Sequence, residues 1–166
     1  MADAAATSSV DADTTETEAM PGGIPDDAVR QWASSATASS EYGSSDYNAM
    51  QATGAPNTAG CVDSTLAWAS RSGSGEEFLT LTYAQPVVPL QLNVHQNLTP
   101  GAIVRIELTD AETGETIVVP ESADPATDPC PRVFELNITD VDTPVSSVTI
   151  HLDESLVGYW NEIDAV

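Results

Sequence analysis

Few side chains in this 166-residue chain are typical of catalytic sites: it has two histidines, two cysteines and four arginines, and its sequence contains no lysine. His95 and His151 lie on the polar sides of two separate alternating segments, outside any HxH or HxxxH spacing. No GxSxG elbow and no Gly-rich phosphate loop is present. The 26 acidic residues could supply a carboxylate pair almost anywhere, so their number identifies no acid–base site. These features favour a binding or structural protein over an enzyme.

The two cysteines, Cys61 and Cys130, lie far apart and in no metal-ligand spacing. In an oxidising compartment they could form one disulfide. Two buried free thiols are the alternative that the residues leave open.

The net charge of −22 at pH 7 excludes several partners. Nucleic acids and anionic membrane surfaces are repelled, whereas cations are attracted. No run of 18 apolar residues is present, so we expect no membrane insertion. The first residues lack the basic and apolar regions of a signal peptide, so we expect any secreted form of this sequence to be a mature one. An acidic surface without lysine fits simple solubility, high salt or an extracellular setting.

Residues 1–29 differ in composition from the rest. They contain seven acids, no base and no aromatic residue, and they end in a segment with Pro21, Gly22, Gly23 and Pro25. Such a segment buries too little apolar surface to offset the loss of chain entropy. We therefore predict a disordered acidic tail or linker over 1–29 and a folded module over 30–166.

The folded part shows apolar residues at every second position in short segments. The alternating sets are Leu79, Leu81 and Tyr83; Leu90, Leu92 and Val94; Val104, Ile106 and Leu108; Phe134, Leu136 and Ile138; Val148, Ile150 and Leu152; and Ile163 with Ala165. A period of two predicts strands with one buried face, and the segments 99–101, 112–114 and 142–144 are rich in turn residues. Many short strands with turns between them predict an all-β antiparallel sandwich or barrel.

Aromatic residues are scarce, at 5%, and several of them lie outside the alternating pattern. Trp68, Tyr159 and Trp160 stand next to polar residues such as Arg71 and Asn161. Aromatic faces beside directed hydrogen-bonding groups are suited to sugars. The alternative is that these rings cap the ends of the core.

Several stretches together resemble one superfamily. Residues 38–42, 52–57 and 68–70 resemble the opening of galactose-binding, discoidin-like jelly rolls, and residues 77–83 and 89–94 look like the strands that follow. Residues 100–106, 129–130 and 160–166 resemble a subgroup found in bacterial surface proteins and in an F-box leucine-rich-repeat protein.

The resemblance implies an antiparallel jelly-roll β-sandwich that recognises a ligand without catalysis, through loops at one end. We therefore predict an extracellular or cell-surface adhesion module that binds carbohydrate or another cell-surface ligand. A structural or protein-interaction domain of an extracellular assembly is the alternative. The predicted ligand-binding residues are Trp68, Arg71, His95, Asn97, Tyr159 and Trp160.

Two further expectations follow from the resemblance alone. Cysteines recur at similar places in the subgroup, which implies a Cys61–Cys130 disulfide. Similar jelly rolls hold a structural Ca²⁺ between an N-terminal loop and the last strand, which implies a site formed by Gly54, Asn57, Asp63, Thr65 and Glu162. The alternative is that Glu162 binds loop amides by hydrogen bonds without a metal.

Overall fold

In the computed structural model, residues 23–166 are described. The strands are β1 (Ser35–Ala38), β2 (Glu76–Val87), β3 (Gln91–Leu98), β4 (Ile103–Asp110), β5 (Thr116–Val118), β6 (Arg132–Asn137), β7 (Val145–Asp153) and β8 (Glu162–Ala165). Two short 3-10 helices cover Ala49–Ala52 and Glu154–Leu156. None of the described residues forms a helix that is long and apolar enough to cross a membrane.

The strands form two antiparallel sheets. One sheet has five strands in the order β1-β2-β7-β4-β5, and the other has three in the order β6-β3-β8. Every strand pair is antiparallel. The all-β jelly-roll sandwich predicted from the sequence is confirmed.

The hydrophobic core lies between the two sheets, where the alternating residues meet. Side chains at every second position of β2, β3, β4 and β7 point inward because successive residues of a strand face opposite sides. The buried members include Leu79, Leu81, Leu92, Val94, Ile106, Leu108, Val148, Ile150 and Leu152.

The start of β4 departs from the simple alternation. Val104 was expected to face the core, but its side chain is 39% exposed, while Ile103 is buried. Ile103 pairs with Leu152 and Arg105 pairs with His151, and these two partners are consecutive residues of β7. Val104 is therefore an extra residue of β4 that has no partner on β7. Such a bulge shifts the inward-facing set by one residue, and period-two patterning cannot reveal it.

β8 is buried along its whole length, although two of its four residues are acidic. A loop, residues 53–67, covers its outer side and is named here the anchored loop. Asp164 accepts hydrogen bonds from the backbone N–H groups of Asn57 and Thr58, at 3.0 and 3.1 Å. Glu162 accepts one from Ser64 N–H at 3.0 Å. The two carboxylates therefore accept the hydrogen bonds that the loop N–H groups would otherwise donate to water.

A disulfide joins the anchored loop to the segment that precedes β6. It links Cys61 to Cys130, 69 residues apart in sequence. The predicted pairing is confirmed.

The predicted tail, residues 1–29, lies for the most part outside the described residues, which begin at residue 23. Residues 26–27 form a turn, and Ala28 N–H donates to the Pro25 carbonyl at 3.1 Å. The division into tail and module stays a prediction.

Candidate ligand-binding site

A pocket opens at the end of the sandwich where β3 ends and β8 begins. Its volume is about 150 Å³. It contains three of the four tyrosines of the chain. We call it the aromatic pocket, and its lining residues are Tyr42, Tyr47, Asp63, Ala69, Leu98, Tyr159, Trp160 and Glu162.

The rings of the aromatic pocket form a continuous edge-to-face series. Ring centroids are 5.3 Å apart between Tyr47 and Tyr42, 5.7 Å between Tyr42 and Trp160, and 5.0 Å between Trp160 and Tyr159. These separations are favourable for T-shaped aromatic pairs. Tyr42 is 58% exposed and Tyr159 is 46% exposed. The pocket therefore offers aromatic surface to solvent on a series of rings that hold one another in place.

The loop that carries Tyr159 and Trp160 is held by a buried carboxylate. Glu154 accepts hydrogen bonds from Asn161 N–H at 2.8 Å and from the Ser70 hydroxyl at 3.3 Å. Burial outweighs these hydrogen bonds and raises the pKa of Glu154 to about 7. The indole N–H of Trp160 donates to the Ser70 carbonyl at 2.9 Å, which fixes the orientation of the ring.

Tyr47 is positioned by its backbone and by an acid. Its N–H donates to the Thr65 carbonyl at 3.3 Å, and its own carbonyl accepts from Ala69 N–H at 3.2 Å. Its phenol donates to the Asp63 carboxylate at 2.6 Å. This hydrogen bond, together with burial, raises the pKa of Tyr47 to about 12, so the phenol stays protonated near neutral pH.

Glu162 lies in the wall of the pocket, beside Asp63. Its Oε2 accepts hydrogen bonds from Asn97 Nδ2 at 2.7 Å and from Ser64 N–H at 3.0 Å. Burial is the main reason that the pKa of Glu162 rises to about 7, and the neighbouring Asp63 carboxyl adds to the rise. Two acids thus meet at one side of the aromatic pocket.

The six residues predicted to bind ligand occupy different environments. Tyr159 and Trp160 line the aromatic pocket. Trp68 is fully buried, and its indole N–H donates to the Ser40 carbonyl at 3.1 Å. Asn97 is also buried and holds Glu162. Trp68 and Asn97 therefore support the loops and expose no surface that a ligand could contact.

The two basic residues of that set do not line the aromatic pocket. Arg71 is exposed and directly follows Ser70, the residue that fixes Trp160. His95 pairs with Ala165 further along the sheet, and its ring packs edge-on against Trp32 with centroids 5.4 Å apart. Burial lowers the pKa of His95, so its imidazole is neutral at pH 7.

Sequence reasoning assigned no ligand role to Tyr42 and Tyr47. The available signal was their position: two tyrosines five residues apart flank the segment 43–46, which is rich in Gly and Ser, in a chain with few aromatics. A loop that carries large aromatic side chains outside any strand pattern is a candidate for ligand recognition.

The five residues predicted to bind calcium do not form one group of oxygens. Gly54 N–H donates to the Ala33 carbonyl at 3.0 Å, near the far end of β8. Asn57 directs its backbone N–H at Asp164. Within residues 23–166, no cluster of three or more His, Cys, Asp or Glu side chains is arranged to hold a metal ion.

Calcium takes six to eight oxygen ligands. The Oε2 atom of Glu162 already accepts two N–H donors, and Asp63 Oδ1 accepts the phenol of Tyr47. These contacts fit a hydrogen-bonded loop better than a calcium site. The calcium site stays a prediction that a chelator experiment can decide.

Comparison with solved structures identifies similar folds. Chitosan-binding module 1 of a chitosanase/glucanase from Paenibacillus sp. IK-5 superposes with a TM-score of 0.55 at 16% identity, over 80% of this chain and 93% of that one. CpGH89CBM32-5 from Clostridium perfringens, in complex with GalNAc-β-1,3-galactose, gives a TM-score of 0.54 at 19% identity, over 78% and 90% of the two chains. At these identities the likeness shows the fold, which is the galactose-binding-like jelly roll.

Comparison of the sequence with curated proteins finds no match. The family described as pappalysin-1, SD scarf domain, C-terminal, matches residues 23–166, which is nearly all of the chain. The match covers all the strands and the three loops that build the aromatic pocket. The chain therefore belongs to the pappalysin-1 SD scarf domain (C-terminal) family.

Proposed function

We propose that this chain is a non-catalytic, extracellular recognition module that binds carbohydrate, or another cell-surface ligand, in the aromatic pocket. The observation that carries the proposal is the pocket itself, with exposed rings on two loops at one end of the sandwich. Binding residues are often placed on loops that a rigid scaffold positions.

The chemistry of the pocket suits a sugar. One face of a pyranose ring is apolar and packs on an aromatic ring, and its hydroxyls require directed hydrogen bonds. Tyr42 and Tyr159 supply exposed rings, while Asp63 supplies an exposed acceptor. Because Trp160 is hydrogen-bonded to Ser70, the arrangement exists before a ligand arrives, which lowers the entropic cost of binding.

Two further observations support the proposal. The similar structures are described as a chitosan-binding module and as a module in complex with a disaccharide. The Cys61–Cys130 disulfide fits an oxidising compartment, because cytosolic thiols are kept reduced.

A glycan array with wild-type protein and single variants tests the proposal. We expect the wild type to bind a sugar, and Tyr159→Ala to weaken that binding about fivefold to tenfold, since one aromatic contact contributes roughly 1 kcal/mol. Phe78→Ala is the matched control, because Phe78 is also an exposed ring (42%) but lies on β2, on the sheet surface.

The outcomes separate the two classes of function. Loss of binding in Tyr159→Ala and not in Phe78→Ala supports recognition by the aromatic pocket. If no glycan binds and the chain forms a stable oligomer that buries the loop end, the alternative holds, namely a protein-interaction domain of an extracellular assembly.

A further inference from the structure

The aromatic pocket carries negative charge that no basic side chain compensates. Asp63 is exposed, whereas Glu162 is buried and accepts hydrogen bonds from Asn97 and Ser64, so Asp63 is the pocket acid that a ligand can reach. Among the described residues, ion pairs involve Glu107 and Asp124 as the acids, and neither pocket acid has a basic partner. A cation placed beside the exposed Asp63 carboxylate would be stabilised by the opposite charge.

The rest of the pocket wall is also suited to a cation, and to an organic one. The faces of Tyr and Trp rings attract ammonium groups, and cages of such rings recognise organic cations. Tyr42, Tyr159 and Trp160 line the same cavity as Asp63. Aromatic rings beside an exposed carboxylate suit a positively charged group attached to an apolar body.

A protonated amine fits this wall better than a metal ion. Glu162 Oε2 already accepts hydrogen bonds from Asn97 and Ser64, which leaves too few free oxygens for calcium. An ammonium group needs only two or three acceptors, because it has three N–H donors. The cavity, at about 150 Å³, is smaller than the roughly 300–1,000 Å³ typical of drug-sized ligands, so it accommodates one small unit.

We propose that the aromatic pocket selects ligands with a protonated amine, and that among carbohydrates it prefers amino sugars whose nitrogen is not acetylated. This selectivity rests on the proposed function, because it names the ligand class of the same pocket. The amine would lie against the Asp63 carboxylate, and the sugar ring would pack on Tyr42 or Tyr159. N-acetylation removes the charge while keeping the ring, so it separates charge recognition from ring recognition.

The test compares two probes of the same length and linkage: a β-1,4-linked glucosamine oligomer and its fully N-acetylated counterpart. Affinities are measured by calorimetry at about pH 6, below the range in which such amines lose their proton. We expect the glucosamine oligomer to bind about tenfold tighter, which corresponds to the strength of a desolvated cation–π contact with a nearby carboxylate. The binding should be unchanged by EDTA.

A matched pair of variants separates the pocket from the overall negative charge of the chain. Asp63→Asn keeps an acceptor for Tyr47 and should abolish the preference for the amine. Asp142→Asn removes the same charge from the exposed turn before β7, at the opposite end of the sandwich, and should leave the preference intact.

Each result has a defined meaning. Equal loss in Asp63→Asn and Asp142→Asn, or an N-acetylated oligomer that binds as tightly as the free amine, overturns the amine selectivity. Either result leaves sugar binding in place if glycans still bind and Tyr159→Ala still weakens them. If no glycan of any kind binds the wild type, the proposed function itself fails.

Discussion

The two ends of the sandwich are built in different ways. β3 runs from one to the other, with Gln91 near a cavity of about 460 Å³ and Leu98 at the aromatic pocket of about 150 Å³. The larger cavity is lined mainly by aliphatic residues of the segment 24–32, the β2–β3 turn and β7. The smaller one combines four aromatic rings with two acids. The proposed site is the smaller of the two, because recognition needs convergent polar groups as well as space.

The two ends are also stabilised by different forces. The apolar end is held by hydrophobic packing, which is not directional. The loop end is held by buried carboxylates that accept loop N–H groups, and by a disulfide. The loop end should therefore respond to reduction and to pH, and the apolar end should not.

The largest expected effect comes from removing the covalent link at the loop end. Replacing both Cys61 and Cys130 by Ser should lower the free energy of unfolding by about 4 kcal/mol, because the bond closes a long loop in the unfolded chain. Urea unfolding of the wild type and the double variant measures the difference. Reductant should destabilise the wild type by a similar amount and leave the variant unchanged. A double variant as stable as the wild type would contradict this account of the loop end.

The next effect is a dependence of stability on pH. The pKa of Glu154 is about 7 in the folded state, raised mainly by burial, against 4.5 for an ordinary Glu. The folded state therefore holds its proton more tightly than the unfolded chain does. The stability that this provides is complete below about pH 4.5, and on the order of 3 kcal/mol is lost as pH rises through 7.

Glu154→Gln tests this dependence, because an uncharged side chain cannot titrate. Urea unfolding is measured at several pH values from 4.5 to above 7. The free energy of unfolding should depend less on pH in the variant than in the wild type. Above neutral pH the variant should be the more stable of the two. Glu112→Gln removes an exposed charge and is the control for repulsion among the many acids. Equal flattening in both variants would mean that the slope comes from net charge and not from Glu154.

A smaller effect is expected at the apolar end. The Tyr83 hydroxyl is buried in the wall of the larger cavity and has no hydrogen-bond partner among the described residues. Tyr83→Phe removes an unsatisfied polar group, so it should stabilise the fold by about 1 kcal/mol and leave ligand binding unchanged. Thermal unfolding measures the first and the glycan assay the second. A loss of stability would show that the phenol has a partner.

The smallest expected effect concerns the metal. Because loop N–H groups already occupy Glu162 and Asp164, EDTA should leave the midpoint of thermal unfolding unmoved. Glu162→Gln should not lower it above neutral pH, since the pKa of Glu162, like that of Glu154, is raised to about 7 by burial and the ionised form is disfavoured in the folded state. A lower midpoint with EDTA, together with calcium in elemental analysis, would establish the predicted calcium site.

Strand positions and core faces were predictable because they depend on local periodicity. Leu79 and Leu81 alternate with threonines, and both are buried. The prediction failed at Val104, where a bulge displaces the alternation, and at Leu90, which precedes β3 and is 45% exposed. The disulfide followed from resemblance, since two cysteines far apart in sequence carry no information about their distance in space.

The aromatic residues show that the sequence does not predict which side chains outside the strands are buried and which are exposed. A tryptophan outside a strand pattern can cap the core or face a ligand, and the two cases are alike in sequence. The structure buries Trp68 and leaves Tyr159 exposed. Burial depends on which loops fold over a residue, and those contacts join segments that are distant along the chain.

Composition and short spacings were enough to predict the class of the fold, the acidic character of the surface and the lack of common catalytic motifs. Which residues form the candidate site became apparent in the folded structure. Tyr42, Asp63 and Trp160 come from three loops, and they meet because the anchored loop is tied to β8 and the loop before β8 is tied to Glu154. Such contacts between distant parts of the chain depend on long-range hydrogen bonds and packing, which local sequence patterns do not encode.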